Sequence, residues 1–190
     1  EATLSLTKEV PSGSFIDHKN KIIFIHVPKT GGTSIVSEIQ HDSKNNIEIL
    51  GHRSIEHLYF IYNNIYIQDY FSFSIVRHPI ERFISGYLHV RRTANEVIEE
   101  SDPQLNNWYF LLCSVSEDIN NFIEFLYKND KYLKGIYPPS FFIPQSCFVC
   151  HKNRVIVDQL IEYNDDKLKM NFLRKAYSIN TLPNMLKDNS

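Results

Sequence analysis

A basic surplus is missing from this chain. Its 20 lysines and arginines are outweighed by 22 aspartates and glutamates, for a formal net charge of −2. That argues against a general nucleic-acid binder, which carries a marked positive excess, while a local basic cleft is compatible with any total. Cysteine is sparse: Cys113, Cys147 and Cys150 are an odd set that makes no disulfide framework at this length. No apolar run approaches the ~20 residues that a membrane helix needs. The polar stretch from Glu1 to Asn20 lacks the charged-then-apolar layout of a signal peptide. The first residue is not methionine, so a leader or anchor ahead of it stays open. Glycine is scarce at 6 in 190 residues, while 11 tyrosines and 13 phenylalanines favour a packed domain over a disordered one.

What is present alternates. After the polar lead-in of residues 1–20, Lys21 to Val27 is a nearly continuous apolar run rich in β-branched residues, the mark of a strand buried on both faces. It stops at a glycine turn, and Ile35 and Ile39 then fit a helix capped by Thr33 or Ser34. Ile47 to Leu50 is a second short strand, followed by Gly51-His52-Arg53-Ser54 and an amphipathic stretch over about 55–62. Tyr70 to Val76 is a third strand, after which Ile80, Phe83, Ile84, Tyr87 and Leu88 recur at helical spacing. Strand, polar turn and helix thus occur three times. This predicts an α/β domain over 21–190 with a central, mostly parallel sheet flanked by helices. Further on, 104–112 and 116–129 read as helices and 137–144 as a proline-rich loop. Residues 146–149 and 154–160 read as strands around a His151-Lys152-Asn153 turn, and 165–177 as a last helix.

Two strand ends suit an anion. Val27-Pro28-Lys29-Thr30-Gly31-Gly32-Thr33-Ser34 lies at the carboxyl end of a buried strand, where open α/β sheets bind ligands. Its glycines admit close backbone approach, and the following helix aims free N–H groups and its positive dipole end at the turn. Lys29 adds a full charge, and Thr30, Thr33 and Ser34 add hydroxyls, so the turn favours a phosphate. A nucleotide-triphosphate loop places its lysine after the last glycine, whereas Lys29 precedes both. A plain strand-to-helix turn with an exposed lysine is the other reading of these residues. The second end is Val76-Arg77-His78-Pro79, with Ser85 about two helical turns further on. An arginine fork and a hydroxyl can grip a phosphate together. Alternatively, Arg77 forms a structural salt bridge, and Glu81 and Arg82 pair locally or with neighbours.

These residues resemble the PAPS-dependent sulfotransferases, which use 3′-phosphoadenosine 5′-phosphosulfate as sulfuryl donor. Pro28 to Ser34 is similar to their 5′-phosphosulfate loop, and Val76 to Ser85 to their 3′-phosphate motif. The Val27-Pro28-Lys29-Thr30 start and Gly51-His52 after the next strand resemble the carbohydrate branch, related to heparan sulfate 2-O-sulfotransferase and its bacterial relatives. Pro144-Gln145, Phe148 and a strand ending in Val157-Asp158 resemble a later block of that branch. The likeness runs from about residue 22 to 177, and only the two phosphate motifs are specific. It implies a three-layer, P-loop-like fold. In it, Lys29 contacts the leaving phosphate and the sulfuryl group, and Thr30, Gly31, Gly32, Thr33 and Ser34 hold the 5′-phosphate. Arg77 and Ser85 hold the 3′-phosphate, and His52 is the base that takes the proton of a hydroxyl acceptor, a carbohydrate. The chain stops at Ser190, whereas relatives use C-terminal segments to cover the nucleotide, which leaves a truncated fold open.

The residue types agree with that chemistry. Charge grows on the bridging oxygen as sulfur leaves phosphate, and a lysine and helix-end N–H groups stabilise it. Histidine suits the base because its ordinary pKa is about 6.5. His26, His57, His78 and His89 compete for the role, with His26 expected to be a packed core residue. No metal is expected, since no cluster of acidic ligands stands out. Other classes remain: a nucleotide kinase or phosphotransferase using the same turn, or a non-catalytic phosphonucleotide- or glycan-binding module. A haem or zinc protein is a third, because Cys147-Phe148-Val149-Cys150-His151 matches C-x-x-C-H. Cys147 and Cys150 are expected to be structural thiols or a disulfide. Arg91 and Arg92 either grip an anionic acceptor or end a helix, and Trp108, Tyr109 and Phe110 either stack on sugar or pack in the core. The absence of a leader, of glycosylation signals and of many cysteines points to the cytoplasm, with the Golgi lumen as the alternative if an anchor was removed.

Overall fold

The computed structural model describes residues 12–42, 47–62, 67–100, 108–129 and 141–177. The chain gathers into two compact units, one drawn from Glu1–Val76 and Ser146–Ser190 and the other from Arg77–Gln145.

The first unit holds the α/β sheet expected from the alternation. Five strands, β1 (Phe15–Asp17), β2 (Ile22–Ile25), β3 (Ile47–Ile49), β4 (Phe71–Val76) and β7 (Gln159–Glu162), lie in the order β3-β1-β2-β4-β7. β2 pairs parallel with β4, and β4 with β7, while β1 runs antiparallel to both β2 and β3. Four strands therefore point one way and β1 alone is reversed. This places the start of β1 beside the carboxyl ends of its neighbours, with Phe15 opposite Phe24 and Ile49.

The lead-in is thus not a bare polar tail: its Phe15-Ile16-Asp17 forms an internal strand. The Asp17 carboxylate accepts from the Asn20 backbone N–H at 3.0 Å and side-chain amide at 2.7 Å, which fixes the β1–β2 turn. One sheet face packs Phe15, Ile22, Phe24, Phe73, Ile75 and Ile161 against Ile35, Val36 and Ile39 of α1 (Gly32–Asp42) and Leu173 of the last helix, Asp166–Tyr177. The side chains of the opposite face, Ile16, Ile23 and Ile25, are buried too. Double-sided burial is why these strands read as apolar runs, and each such side chain contributes about 1.5–3 kcal/mol.

Ser72 and Asp158 lock the starts of β4 and β7. The Asp158 carboxylate accepts from the Ser72 N–H and hydroxyl, both at 2.7 Å, and the Asp158 N–H donates to the Ser72 hydroxyl oxygen at 3.0 Å. Val157 and Asp158 thus lie in the bend before β7, not at the end of a strand. Residues 146–149, expected as a strand, form one helical turn whose Phe148 and Val149 are buried. A two-strand ribbon follows, β5 (Cys150–His151) with β6 (Arg154–Val155). Lys152 and Asn153 both have positive φ, 46° and 62°, as a two-residue hairpin turn requires. Cys113, Cys147 and Cys150 are all free thiols, so no disulfide joins the pair.

The second unit is helical: α3 (Pro79–Glu100), α4 (Trp108–Ser114) and α5 (Ile119–Lys128). Proline at the first position of α3 costs no hydrogen bond there. Tyr87, Val90, Ala94, Leu112, Cys113 and Phe122 form its core, with Phe83, Phe141 and Phe142 packed against it. Arg91 and Arg92 lie inside α3, not at its end. The side chains of Trp108 and Tyr109 are outside the described residues, as are 104–107 and 137–140; Phe110 is half-buried. No described helix is long and apolar enough to cross a membrane.

Candidate active site

At the carboxyl end of β2 the chain turns sharply. Lys29 takes the left-handed conformation at φ 66°, and Gly31 follows at φ 74°. For a side-chain-bearing residue that geometry costs of order 1–3 kcal/mol, and such strain collects at functional sites. The buried Thr30 hydroxyl donates to the Val27 carbonyl at 2.7 Å, which closes the turn from inside. α1 begins at Gly32, so Thr33 and Ser34 lie within its first turn and do not precede it as caps. The exposed Thr33 hydroxyl lies 3.0 Å from that of Ser12. The first-turn amides of a helix lack intrahelical partners, and no acidic residue occupies this turn. With the half-buried Lys29 beside them, these amides make a cradle suited to an anion.

His26 is the residue on which the loop rests. Its ring is buried, stacks on Phe24 with centroids 5.7 Å apart, and reaches His52 at 4.7 Å. Its Nδ1 lies 3.4 Å from the Ser12 hydroxyl. Burial first, then the positive charges of His52 and Lys29, push its pKa down to about 3, so the ring is neutral across the physiological range. Sequence reasoning placed His26 in the core, which is correct, but missed that the same ring walls the turn. Its position two residues before Pro28 was the available signal.

His52 follows β3 and hangs over this wall. Its Nδ1–H donates to the His26 carbonyl at 3.3 Å. A carbonyl only accepts, so this bond fixes the tautomer and leaves Nε2 as the lone-pair nitrogen. Partial burial lowers the His52 pKa, and the bond to the His26 carbonyl opposes the shift.

The lead-in holds this corner together. The buried Ser14 hydroxyl accepts the His26 N–H at 3.0 Å and donates to the Arg53 carbonyl at 2.8 Å. Its backbone N–H donates to the Gly51 carbonyl at 2.7 Å, and its carbonyl accepts from the Leu50 N–H at 2.8 Å. Gly13 lies so close that a Cβ there would meet the Gly51 backbone at 2.5 Å. None of this was legible in residues 12–14, because every partner is distant in sequence.

The structure thus brings Lys29, Gly31, Gly32, Thr33 and His52 together around His26. Ser34 follows in the same helical turn. Among the competing histidines, His57 is exposed on α2 (Ile55–Ile61) and its N–H is capped by Ser54. His78 is exposed, and His89 packs edge-on against Phe141 at 5.1 Å. His151 lies on the ribbon, 2.9 Å from the Glu56 carboxylate. Among the described residues, no three His, Cys, Asp or Glu side chains gather as a metal site requires.

In the second unit, Arg77 precedes α3, and its Nε lies 3.4 Å from the Glu81 carboxylate one helical turn on, the salt bridge that was the other reading of this arginine. Arg82 is buried and donates to the Ile143 carbonyl at 2.9 Å. Ser85 is buried on the same helix. Gln145 meets the Arg77 backbone from the other end of the unit, with its Oε1 accepting the Arg77 N–H at 3.0 Å and its Nε2 donating to the Arg77 carbonyl at 2.7 Å.

No curated protein and no solved structure matches the chain significantly. The family model described as the Sulfotransferase family matches residues 12–190, from the Ser12 that touches Thr33 onward. With that match over most of its length, the chain belongs to the sulfotransferase family.

Proposed function

We propose that this sulfotransferase moves the sulfuryl group of PAPS to a carbohydrate hydroxyl, with His52 as base and Lys29 stabilising the leaving phosphate. The observation that carries this reading is the His52 tautomer. With Nδ1–H held by the His26 carbonyl, Nε2 is the atom left to accept a proton, and it belongs to the same corner as the Lys29 turn. Nε2 takes the proton of the acceptor hydroxyl as its oxygen bonds to sulfur. The bond from sulfur to the bridging phosphate oxygen breaks, and the electron pair stays on 3′,5′-ADP. The Lys29 ammonium and the α1 amides stabilise that developing charge, the kind of contribution that is usually largest in catalysis.

The loop suits the 5′-phosphosulfate: Gly31, Gly32, Thr33 and Ser34 offer the helix-end amides, and Thr30 contributes through its backbone because its hydroxyl is turned to Val27. Arg77 and Ser85 take the 3′-phosphate. The strands that precede these motifs in sequence, β2 and β4, are parallel neighbours. The carbohydrate acceptor rests on the likeness of Val27-Pro28-Lys29-Thr30 and Gly51-His52 to the carbohydrate branch.

Calorimetry with 3′,5′-ADP and transfer assays with labelled PAPS over a glycan panel test this. Wild type binds the nucleotide, Arg77→Ala loses about tenfold to a hundredfold in affinity, as expected for charge-assisted hydrogen bonds, and Lys29→Ala abolishes transfer. Unchanged affinity in Arg77→Ala removes the 3′-phosphate assignment. Phosphoryl transfer from ATP and magnesium, with none of sulfuryl from PAPS, replaces the reading altogether.

A further inference from the structure

We propose that Gln145 is the positioning residue that fixes Arg77 for recognition of the nucleotide's 3′-phosphate; this rests on the role given to Arg77 above. The primary amide of Gln145 matches the main-chain N–H and C=O of the residue it faces. Its oxygen takes the Arg77 N–H at 3.0 Å and its nitrogen serves the Arg77 carbonyl at 2.7 Å. Two hydrogen bonds to one residue's main chain restrict both of its soft dihedrals, as a neighbouring strand would. Arg77 follows β4, which ends at Val76, and precedes α3, which begins at Pro79, so it lies in neither element.

Gln145 is itself firmly placed. The buried Arg82 holds the Ile143 carbonyl at 2.9 Å. Phe142 packs on Phe83, Phe122 and Gly86, with ring centroids 5.6 Å and 5.3 Å away for the two phenylalanines. A Cβ on Gly86 would lie 3.1 Å from the Phe142 ring, so the loop sits directly on the helix that carries Ser85. At its side-chain end, Arg77 is steadied by Glu81 at 3.4 Å. The guanidinium is thereby aimed from both ends, and the anchoring of its backbone comes from 68 residues away.

The readout is selectivity for the 3′-phosphate, measured as the ratio of affinities for 3′,5′-ADP and 5′-AMP by calorimetry on the full chain. Gln145→Met removes both hydrogen bonds at similar volume. Gln145→Asn keeps the amide but draws it back by one methylene, and carries the test if the methionine variant does not fold. Each is expected to lower the ratio about tenfold by weakening 3′,5′-ADP alone, the size of two modest hydrogen bonds. Arg77→Ala run in parallel separates the two ideas. If Arg77→Ala collapses the ratio and the Gln145 variants leave it intact, the positioning role is overturned and the Arg77 assignment stands. Equal weakening of both nucleotides by the Gln145 variants also overturns it, since a general loss of structure would do that. If Arg77→Ala leaves the ratio unchanged, the 3′-phosphate reading falls and this inference with it.

Discussion

The ring of His26 occupies the space that any side chain at Gly32 would need: a Cβ built there would lie 2.2 Å from its Cδ2 and 2.5 Å from its Nε2. Contacts that short do not occur between real atoms, so ring and glycine specify each other. Gly32→Ala is expected to displace the ring or the start of α1, cost about 1–3 kcal/mol as overpacking does, and reduce transfer. Adding His26→Ala should recover part of that stability, because residues sharing one space are non-additive. Urea midpoints of the two single variants and the double check this; strict additivity would deny the clash.

His52→Ala should slow transfer by about 10²–10⁴-fold, the range for a lost general base, while 3′,5′-ADP affinity barely changes. The base works when neutral, so activity falls as pH drops through its pKa. Partial burial places that pKa below the ordinary 6.5, so the acid limb of the rate profile lies below pH 6.5. An acid limb that survives the alanine substitution would assign the proton transfer elsewhere.

His26 makes stability depend on pH in a defined direction. Its folded pKa, about 3, lies below its unfolded value of 6.5, so the unfolded state binds the extra proton first. The neutral ring's full contribution is present above about pH 6.5 and is lost progressively as pH falls toward 3, at up to about 1.4 kcal/mol per pH unit. Chemical denaturation at a series of pH values should show this slope, and His26→Phe should flatten it.

Ser14→Ala should act on both stability and catalysis. Its buried hydroxyl bonds to the His26 N–H and the Arg53 carbonyl, and stranding them costs about 1–3 kcal/mol. Because those bonds hold the His52 loop against β2, transfer should drop more than nucleotide binding does. Equal loss in both would indicate a purely structural serine.

Lys169 is a buried charge held by its own partners. Its buried ammonium donates to the Tyr163 carbonyl, lies 2.7 Å from the Asp166 carboxylate, and sits 5.3 Å over the Tyr163 ring. Lys169→Met should destabilise the protein by about 1–3 kcal/mol, as a thermal melt would show; an unchanged melt would mean that the buried ammonium contributes nothing net.

The central strand and its parallel neighbour β4 were legible because burial on both faces writes an apolar run: Ile22–Ile25 and Phe71–Val76 lie inside the expected segments. β1 was not, since three residues among polar ones carry no period, and its strand state comes from pairing with residues that follow it by up to 34 positions, as Phe15 does with Ile49. Residues 146–149 mimic a strand in composition yet form a helical turn, because four residues are too few for either period to show. The glycine turn and the Arg77–Ser85 spacing were visible as local motifs. The supports were not. Ser14, the His26 ring and Gln145 act through contacts between segments that only the fold brings together.

The reversed course of β1 also bears on how this enzyme is handled. Because that strand enters the sheet at the edge where Lys29 and His52 stand, Ser12 just ahead of it comes within 3.0 Å of the Thr33 hydroxyl in the glycine turn. A cut or fusion junction placed at Ser12 itself is therefore expected to disturb the turn as well as the sheet, and is better moved away from that residue.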